Sequence, residues 1–145
     1  MKLTFVDTNQ SDADLLVQLR IDAMRESLER IGRFDLQRAR DRFLSTFDPG
    51  LCKLILVDGI AAGFFVVRHV EDHLSLDHLY IVPKHQGLGI GSAVLAGILL
   101  DADLRSIPVR LGALRGSDSN RFYQRHGFVK TAEAERDIYY IREPR

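Results

Sequence analysis

One cysteine, Cys52, is all the chain has, so no internal disulfide can form. Net charge is also missing: twenty basic and twenty acidic side chains cancel, which leaves neither a basic footprint for nucleic acid nor an acidic tail. Nucleic acid is therefore not an expected partner. Long apolar runs are absent as well. The longest, residues 60–67 and 93–100, fall far short of the roughly 18 to 20 residues a bilayer demands, so no membrane span is expected. No charged-then-apolar leader pattern stands at the N-terminus, and with the lone cysteine this points to a reducing cytoplasm. Repeats, low-complexity stretches and linkers are lacking too. What is there, 145 residues with 46% hydrophobic content, suffices for one domain over residues 1–145 with a single substantial core.

The pattern along the chain alternates between the two regular periods. Residues 2–6 read as a strand, and Ser11-Asp12 offers an N-cap for a helix over 13–31, where Leu15, Leu16, Leu19, Met24 and Leu28 recur at near-helical spacing. A second helix over 35–47 carries Leu36, Ala39, Phe43, Leu44 and Phe47, and Pro49-Gly50 ends it. Strands over 51–57 and 60–69 flank Asp58-Gly59, a strong two-residue hairpin signal, and a strand over 74–82 continues the antiparallel run until Pro83 closes it. A helix over 92–103, a strand over 108–111, a short helix over 118–126 and strands over 128–132 and 137–141 complete the order. The reading is a mixed α/β layered fold, β-α-α-β-β-β-α-β-α-β-β.

The most informative segment is Gln86-Gly87-Leu88-Gly89-Ile90-Gly91-Ser92, which joins a strand to a helix. Glycines let a backbone turn sharply and approach an anion, and the N–H groups of the first helical turn then face it with the helix dipole behind them. A P-loop would need Lys after the last glycine, and none follows Gly91; a dinucleotide fingerprint would need a third small residue at Ser92 and an acidic residue after the next strand, which instead runs into Gly112-Ala113-Leu114-Arg115. What remains is Gln/Arg-x-x-Gly-x-Gly/Ala after a strand ending in Pro. The run 81–91 resembles the acyl-CoA loop of the GNAT acetyltransferase superfamily, and Asn120-Arg121-Phe122-Tyr123-Gln124-Arg125-His126-Gly127-Phe128 resembles that family's late helix ending in Tyr-x-x-x-Gly-Phe. The order of elements matches along the whole chain. One departure stands out: Gly116-Ser117 occupies the place where the family often carries Asn, a contact to the pantetheine arm.

The resemblance implies a largely antiparallel mixed sheet with helices on both faces, and transfer of an acetyl group from acetyl-CoA to an amine of a small molecule or peptide within a ternary complex. Under it, the main chain of Gln86, Gly87, Leu88, Gly89, Ile90, Gly91 and Ser92 holds the pyrophosphate, and Leu79, Tyr80 and Ile81 pair through their backbone with the amide-rich pantetheine arm. A neutral Tyr, with a pKa near roughly 10, can protonate a departing thiolate whose acid is about 8.5, and Tyr123 is the expected donor. The arriving ammonium must also lose a proton. Asp77 is the first candidate base, with His78 on the same strand and Glu26 in the first helical region as others. The family also often pairs as dimers, and the strand over 137–141 is the edge expected to serve.

Plainer readings stand beside these. A glycine turn can serve packing alone, Tyr123 beside Phe122 can be a core residue with its hydroxyl at the rim, and Asp77 can belong to a solvated strand face. Lys84 and His85 either reach the cofactor phosphates or are solvated, and Cys52 in an apolar strand reads as a small hydrophobe. Of Tyr139 and Tyr140, one is expected to face an acceptor pocket and the other the core. His69, Asp72, His73 and His78 straddle a hairpin without metal-ligand spacing, so no metal is expected. The alternative function is an acyl-CoA-binding sensor or interaction module without turnover; a nicotinamide or nucleotide binder ranks below it.

Overall fold

The computed structural model describes residues 1–32 and 34–145. Its strands are β1 (Leu3–Asp7), β2 (Cys52–Val57), β3 (Ile60–His69), β4 (Leu74–Ile81), β5 (Val109–Leu114), β6 (Val129–Glu133) and β7 (Asp137–Arg142), and its helices are α1 (Ala13–Arg30), α2 (Leu36–Thr46), α3 (Ile90–Leu104) and α4 (Ser119–Arg125). Single 3-10 turns at Gln10–Asp12, Pro49–Leu51 and Pro83–His85 lie between them. The strands follow the order β1-β2-β3-β4-β5-β7-β6 in a seven-stranded sheet in which β1/β2, β2/β3, β5/β7 and β6/β7 pair antiparallel and β4/β5 parallel. This is the mixed, largely antiparallel α/β fold that the motif order implies. Two compact units divide the chain, residues 1–66 with 78–93 and residues 67–77 with 94–145.

In the first unit, Asp12 stands at the N-cap of α1 as expected but makes no side-chain cap bond there, and the capping hydrogen bonds are made one turn earlier by Asn9. Its side chain accepts from Ser11 N at 2.9 Å while Asp12 Oδ2 accepts from Asn9 N at 2.9 Å, a reciprocal box that starts the 3-10 turn leading into the helix. Asp35 caps α2 by accepting from Arg38 N. The helices bury Leu16, Val17, Leu19, Ile21, Ala39 and Phe43 in one core with Cys52, Leu54, Phe64 and Val66 of β2 and β3. Leu15 and Leu36, expected on the apolar stripes, are instead 41% and 53% exposed; both lie in the first turn of their helices. Asp58 and Gly59 both take positive φ, 50° and 81°, the conformation a two-residue hairpin turn requires. The β2/β3 register then shifts between Ile55 and Leu56.

In the second unit, β4 and β5 pair in parallel through Leu74↔Val109 and Ser75↔Arg110. β5 continues to Leu114, past the expected 111, because β7 pairs with it from Val109↔Arg142 to Leu114↔Asp137. The same pairing corrects the expected edge. β7 lies between β5 and β6, so β6, exposed along its whole length, is the edge strand. Arg142 is only 7% exposed and forms a two-pronged ion pair with Asp103, which also accepts from the Arg145 backbone N–H at 3.0 Å. Among the described residues, no helix is long and apolar enough to cross a membrane.

Candidate functional site

The glycine segment leaves β4 through the 3-10 turn at Pro83–His85 and enters α3 at Ile90, two residues before the Ser92 start expected from sequence. Gly87 and Gly89 take φ of 77° and 80°, and the first bond of the helix runs from Ala93 N to the Gly89 carbonyl at 3.0 Å. Gly89 therefore caps the helix by conformation, and the N–H groups of Ile90 and Gly91 stand ahead of the helical ladder. A Cβ at either Gly87 or Gly89 would meet nothing within 4 Å, so these glycines are dictated by backbone conformation and not by crowding. Gln86 folds back to donate to the Ile81 carbonyl at 2.8 Å, tying the loop to the end of β4. Leu88 is exposed at the loop tip. Before it, the Nδ1 of half-buried His85 is buried with no hydrogen-bond partner among the described residues, whereas Lys84 is exposed.

Upstream on β4, Tyr80 joins three elements of its unit. Its Oη lies 2.9 Å from His78 Nδ1 and accepts from Arg20 Nε of α1 at 3.3 Å, while Arg20 Nη1 donates to the Ala39 carbonyl of α2 at 3.2 Å. A guanidinium can only donate, so the Tyr80 hydroxyl hydrogen is available to His78 Nδ1 when that imidazole is neutral. Phe43 and Phe64 pack their rings against His78 at 5.8 and 6.2 Å. Sequence reasoning missed Arg20. Its one sequence signal is a cation on the apolar stripe of α1, with Leu16, Val17, Ala23 and Met24 at the i±3 and i±4 positions where an acidic partner would sit.

In the other unit, Asp77 takes Arg68 Nε at 3.0 Å and Nη2 at 3.4 Å, and accepts from Ser75 Oγ at 2.6 Å. The pairing raises the Arg68 pKa above its ordinary value. Tyr123 of α4 is 6% exposed, with its ring edge-on to Phe122 and Phe128. Where the family often has Asn, Gly116 takes φ of 85°, and the β5 end is secured otherwise. The Leu114 carbonyl accepts from Ser117 N and Oγ and from Asn120 Nδ2, and Asn120 Oδ1 accepts from Tyr140 at 2.8 Å. Tyr140 is thus the core member of the tyrosine pair, while Tyr139 is 41% exposed. His126 is pushed below the usual histidine pKa by burial and by neighbouring Arg125.

The remaining candidates are dispersed. Glu26 is exposed on α1. His73 pairs with Asp72, and among the described residues no group of three or more His, Cys, Asp or Glu is arranged to hold a metal ion. Cys52 is fully buried, and desolvation pushes its thiol up to about 11, the environment of a core residue and not of a nucleophile.

Comparison with known proteins bears on the whole arrangement. The PaiA N-acetyltransferase of Thermoplasma acidophilum, solved in complex with coenzyme A, superposes with a TM-score of 0.78 at 16% identity, covering 99% of both chains. An acetyltransferase from Thermus thermophilus gives 0.75 at 17% identity, over 99% of this chain and 97% of that one. The ribosomal-protein-S18-alanine N-acetyltransferase of Escherichia coli gives 0.68 at 16% identity, over 98% and 94%. At such identities the likeness is one of fold. No curated protein sequence matches the chain. Residues 50–130, more than half of the chain and including the entire glycine loop and Tyr123, match the acetyltransferase (GNAT) domain family. The chain belongs to the GNAT acetyltransferase family, the acetyl-CoA-dependent N-acetyltransferases.

Proposed function

We propose that residues 1–145 form one N-acetyltransferase domain that moves the acetyl group of acetyl-CoA to a primary amine of a small molecule or peptide, by direct attack in a ternary complex in a reducing cytoplasm. The observation that carries this reading is the loop. Positive φ at Gly87 and Gly89 turns the backbone into a helix whose first N–H groups, at Ile90 and Gly91, precede its ladder. That is a pyrophosphate cradle built from main chain, needing no basic side chain. Gln86 and Leu88 shape it, Ser92 adds its first-turn amide, and the main chain of Leu79, Tyr80 and Ile81 takes the pantetheine arm as an added strand would.

Three proton transfers then have to be met, two of them by residues of this chain. The amine loses a proton before attack, and we assign this to Asp77. Arg68 and Ser75 occupy three of the four acceptor positions of its carboxylate, which leaves one for a water that relays the proton. The nitrogen attacks the thioester carbonyl, its second proton passes to solvent, the pool that also restores the Tyr123 proton after turnover, and the tetrahedral adduct collapses to the amide as the carbon–sulfur bond breaks. Tyr123 protonates that sulfur as the carbon–sulfur bond breaks, so that no free thiolate has to form in low-dielectric surroundings.

The test is thermal unfolding with and without excess acetyl-CoA, with NADH and ATP as controls. Ligand at about a hundred times its dissociation constant adds roughly 2.7 kcal/mol, a shift of several degrees. The expected result is a shift with acetyl-CoA alone, followed by amine-dependent release of free thiol. A shift with NADH or ATP in its place would overturn the reading.

A further inference from the structure

Among the described residues, Arg20 is a cation without an anion. It is half-buried, its two hydrogen bonds go to a phenol and a main-chain carbonyl, and its helical neighbours at i±3 and i±4 are apolar. Its charge is therefore met by neutral acceptors and by the face of the Tyr80 ring, 5.8 Å away. Two bonds use two of its five N–H groups. Two of the others are on Nη2, which is not among the buried side-chain atoms without a partner; among the described residues those are in His85 and Arg142. A half-buried guanidinium with spare, reachable N–H groups is poised to receive a carboxylate, which it grips in bidentate fashion.

Its position gives that carboxylate an owner. Arg20 is bonded to Tyr80, a member of the β4 segment assigned above to the pantetheine arm, and through Tyr80 to His78. Arg20, Tyr80 and His78 thus form one cluster at that segment, with Phe43 packed against His78 and Phe64 against Tyr80, and this cluster is taken as the acceptor's side of the arm. These groups offer donors and aromatic surface, and among the described residues no acidic side chain is bonded to either member of the Arg20–Tyr80 pair. A polyamine or other polycation would bring a second positive charge toward an uncompensated one, an arrangement that selects against it.

We infer that the acceptor is an amine that also carries a carboxylate, with Arg20 as the specificity-determining residue that binds it. The inference rests on the acetyltransferase reading and names its substrate class. A charge-assisted contact of this kind is worth about ten- to a hundredfold in kcat/KM.

The experiment measures free-thiol release from acetyl-CoA with the twenty free amino acids, their amides and spermidine, on the full chain and on Arg20→Gln and Arg20→Lys. Acetyl-CoA-induced thermal stabilisation of the unaltered chain is recorded alongside. The expected result is a preference of roughly tenfold or more for at least one amino acid over its own amide, expressed in KM, collapsing in Arg20→Gln and partly kept in Arg20→Lys. Amides or spermidine turned over as well as the amino acids, a preference that survives in Arg20→Gln, or no turnover of any amino acid by a chain that acetyl-CoA stabilises, would each overturn the assignment and leave the cofactor reading standing. Absence of acetyl-CoA stabilisation would instead remove the reading beneath it.

Discussion

Gly63 of β3 packs backbone to backbone against Tyr80 of β4: a Cβ on Gly63 would sit inside the shell of the Tyr80 carbonyl oxygen, 2.9 Å from its carbon and 3.1 Å from Ile81 Cα. No rotamer change can relieve such a clash, because all three atoms are main chain. Gly63→Ala must therefore displace the segment proposed to receive the pantetheine arm, at a cost of roughly 1–3 kcal/mol. The expected outcome is a melting temperature lowered by about 3–10 °C together with weaker acetyl-CoA stabilisation. Loss of stability with unchanged acetyl-CoA affinity would show that β4 holds the cofactor elsewhere.

Gly89 poses the opposite case, since a side chain there has open space and only the φ of 80° resists it. Gly89→Ala should cost about 1–2 kcal/mol of stability while retaining acetyl-CoA binding. Gly89→Asp carries the same backbone strain and adds a negative charge beside the proposed pyrophosphate, so it should fold like the alanine variant and lose acetyl-CoA binding. Isothermal titration of both variants separates the two effects. Equal affinity in the pair would make the loop a structural turn.

Local signals were legible in the sequence and non-local ones were not. Asp58-Gly59 announced its hairpin because both residues tolerate positive φ, and β3 matched its expected bounds. The glycine loop and the Tyr123 helix were readable because each is a contiguous pattern. The start of α3 at Ile90 was not, because it depends on the conformation of Gly89 and not on its identity. The placement of β7 inside the sheet depends on pairing with β5, about thirty residues away, which no local period encodes. Arg20 and Tyr80 are sixty residues apart, and only the folded unit puts one beside the other.

Arg142 makes a stability prediction with a defined pH sense. It is 7% exposed, and its hydrogen bonds, followed by that from the Arg145 backbone, hold the Asp103 carboxyl below the usual carboxylate range. A depressed folded-state pKa contributes stability above the unfolded value, about 3.9, and loses it as the pH falls through the folded one. Asp103→Asn leaves a buried guanidinium without its counter-charge. Its melting temperature should lie several degrees below that of the unaltered chain at pH 7, and the gap should close progressively below about pH 4. A gap independent of pH would mean that the pair contributes shape and not charge.

Tyr123→Phe tests the proposed acid with little disturbance to packing. The ring is 6% exposed and lies edge-on to Phe122 and Phe128, contacts that phenylalanine preserves. If the hydroxyl protonates the departing sulfur, its loss should lower kcat by roughly 10²–10⁴ while leaving acetyl-CoA affinity nearly intact. The defect should also depend on the leaving group. A thioester of a more acidic thiol needs less help from an acid, so the variant should recover activity with it relative to acetyl-CoA, whereas a role in packing would depress both alike. The measurement is kcat for the two thioesters in both proteins at one saturating amine concentration. A ratio unchanged by the substitution would remove Tyr123 from proton transfer even if overall activity fell.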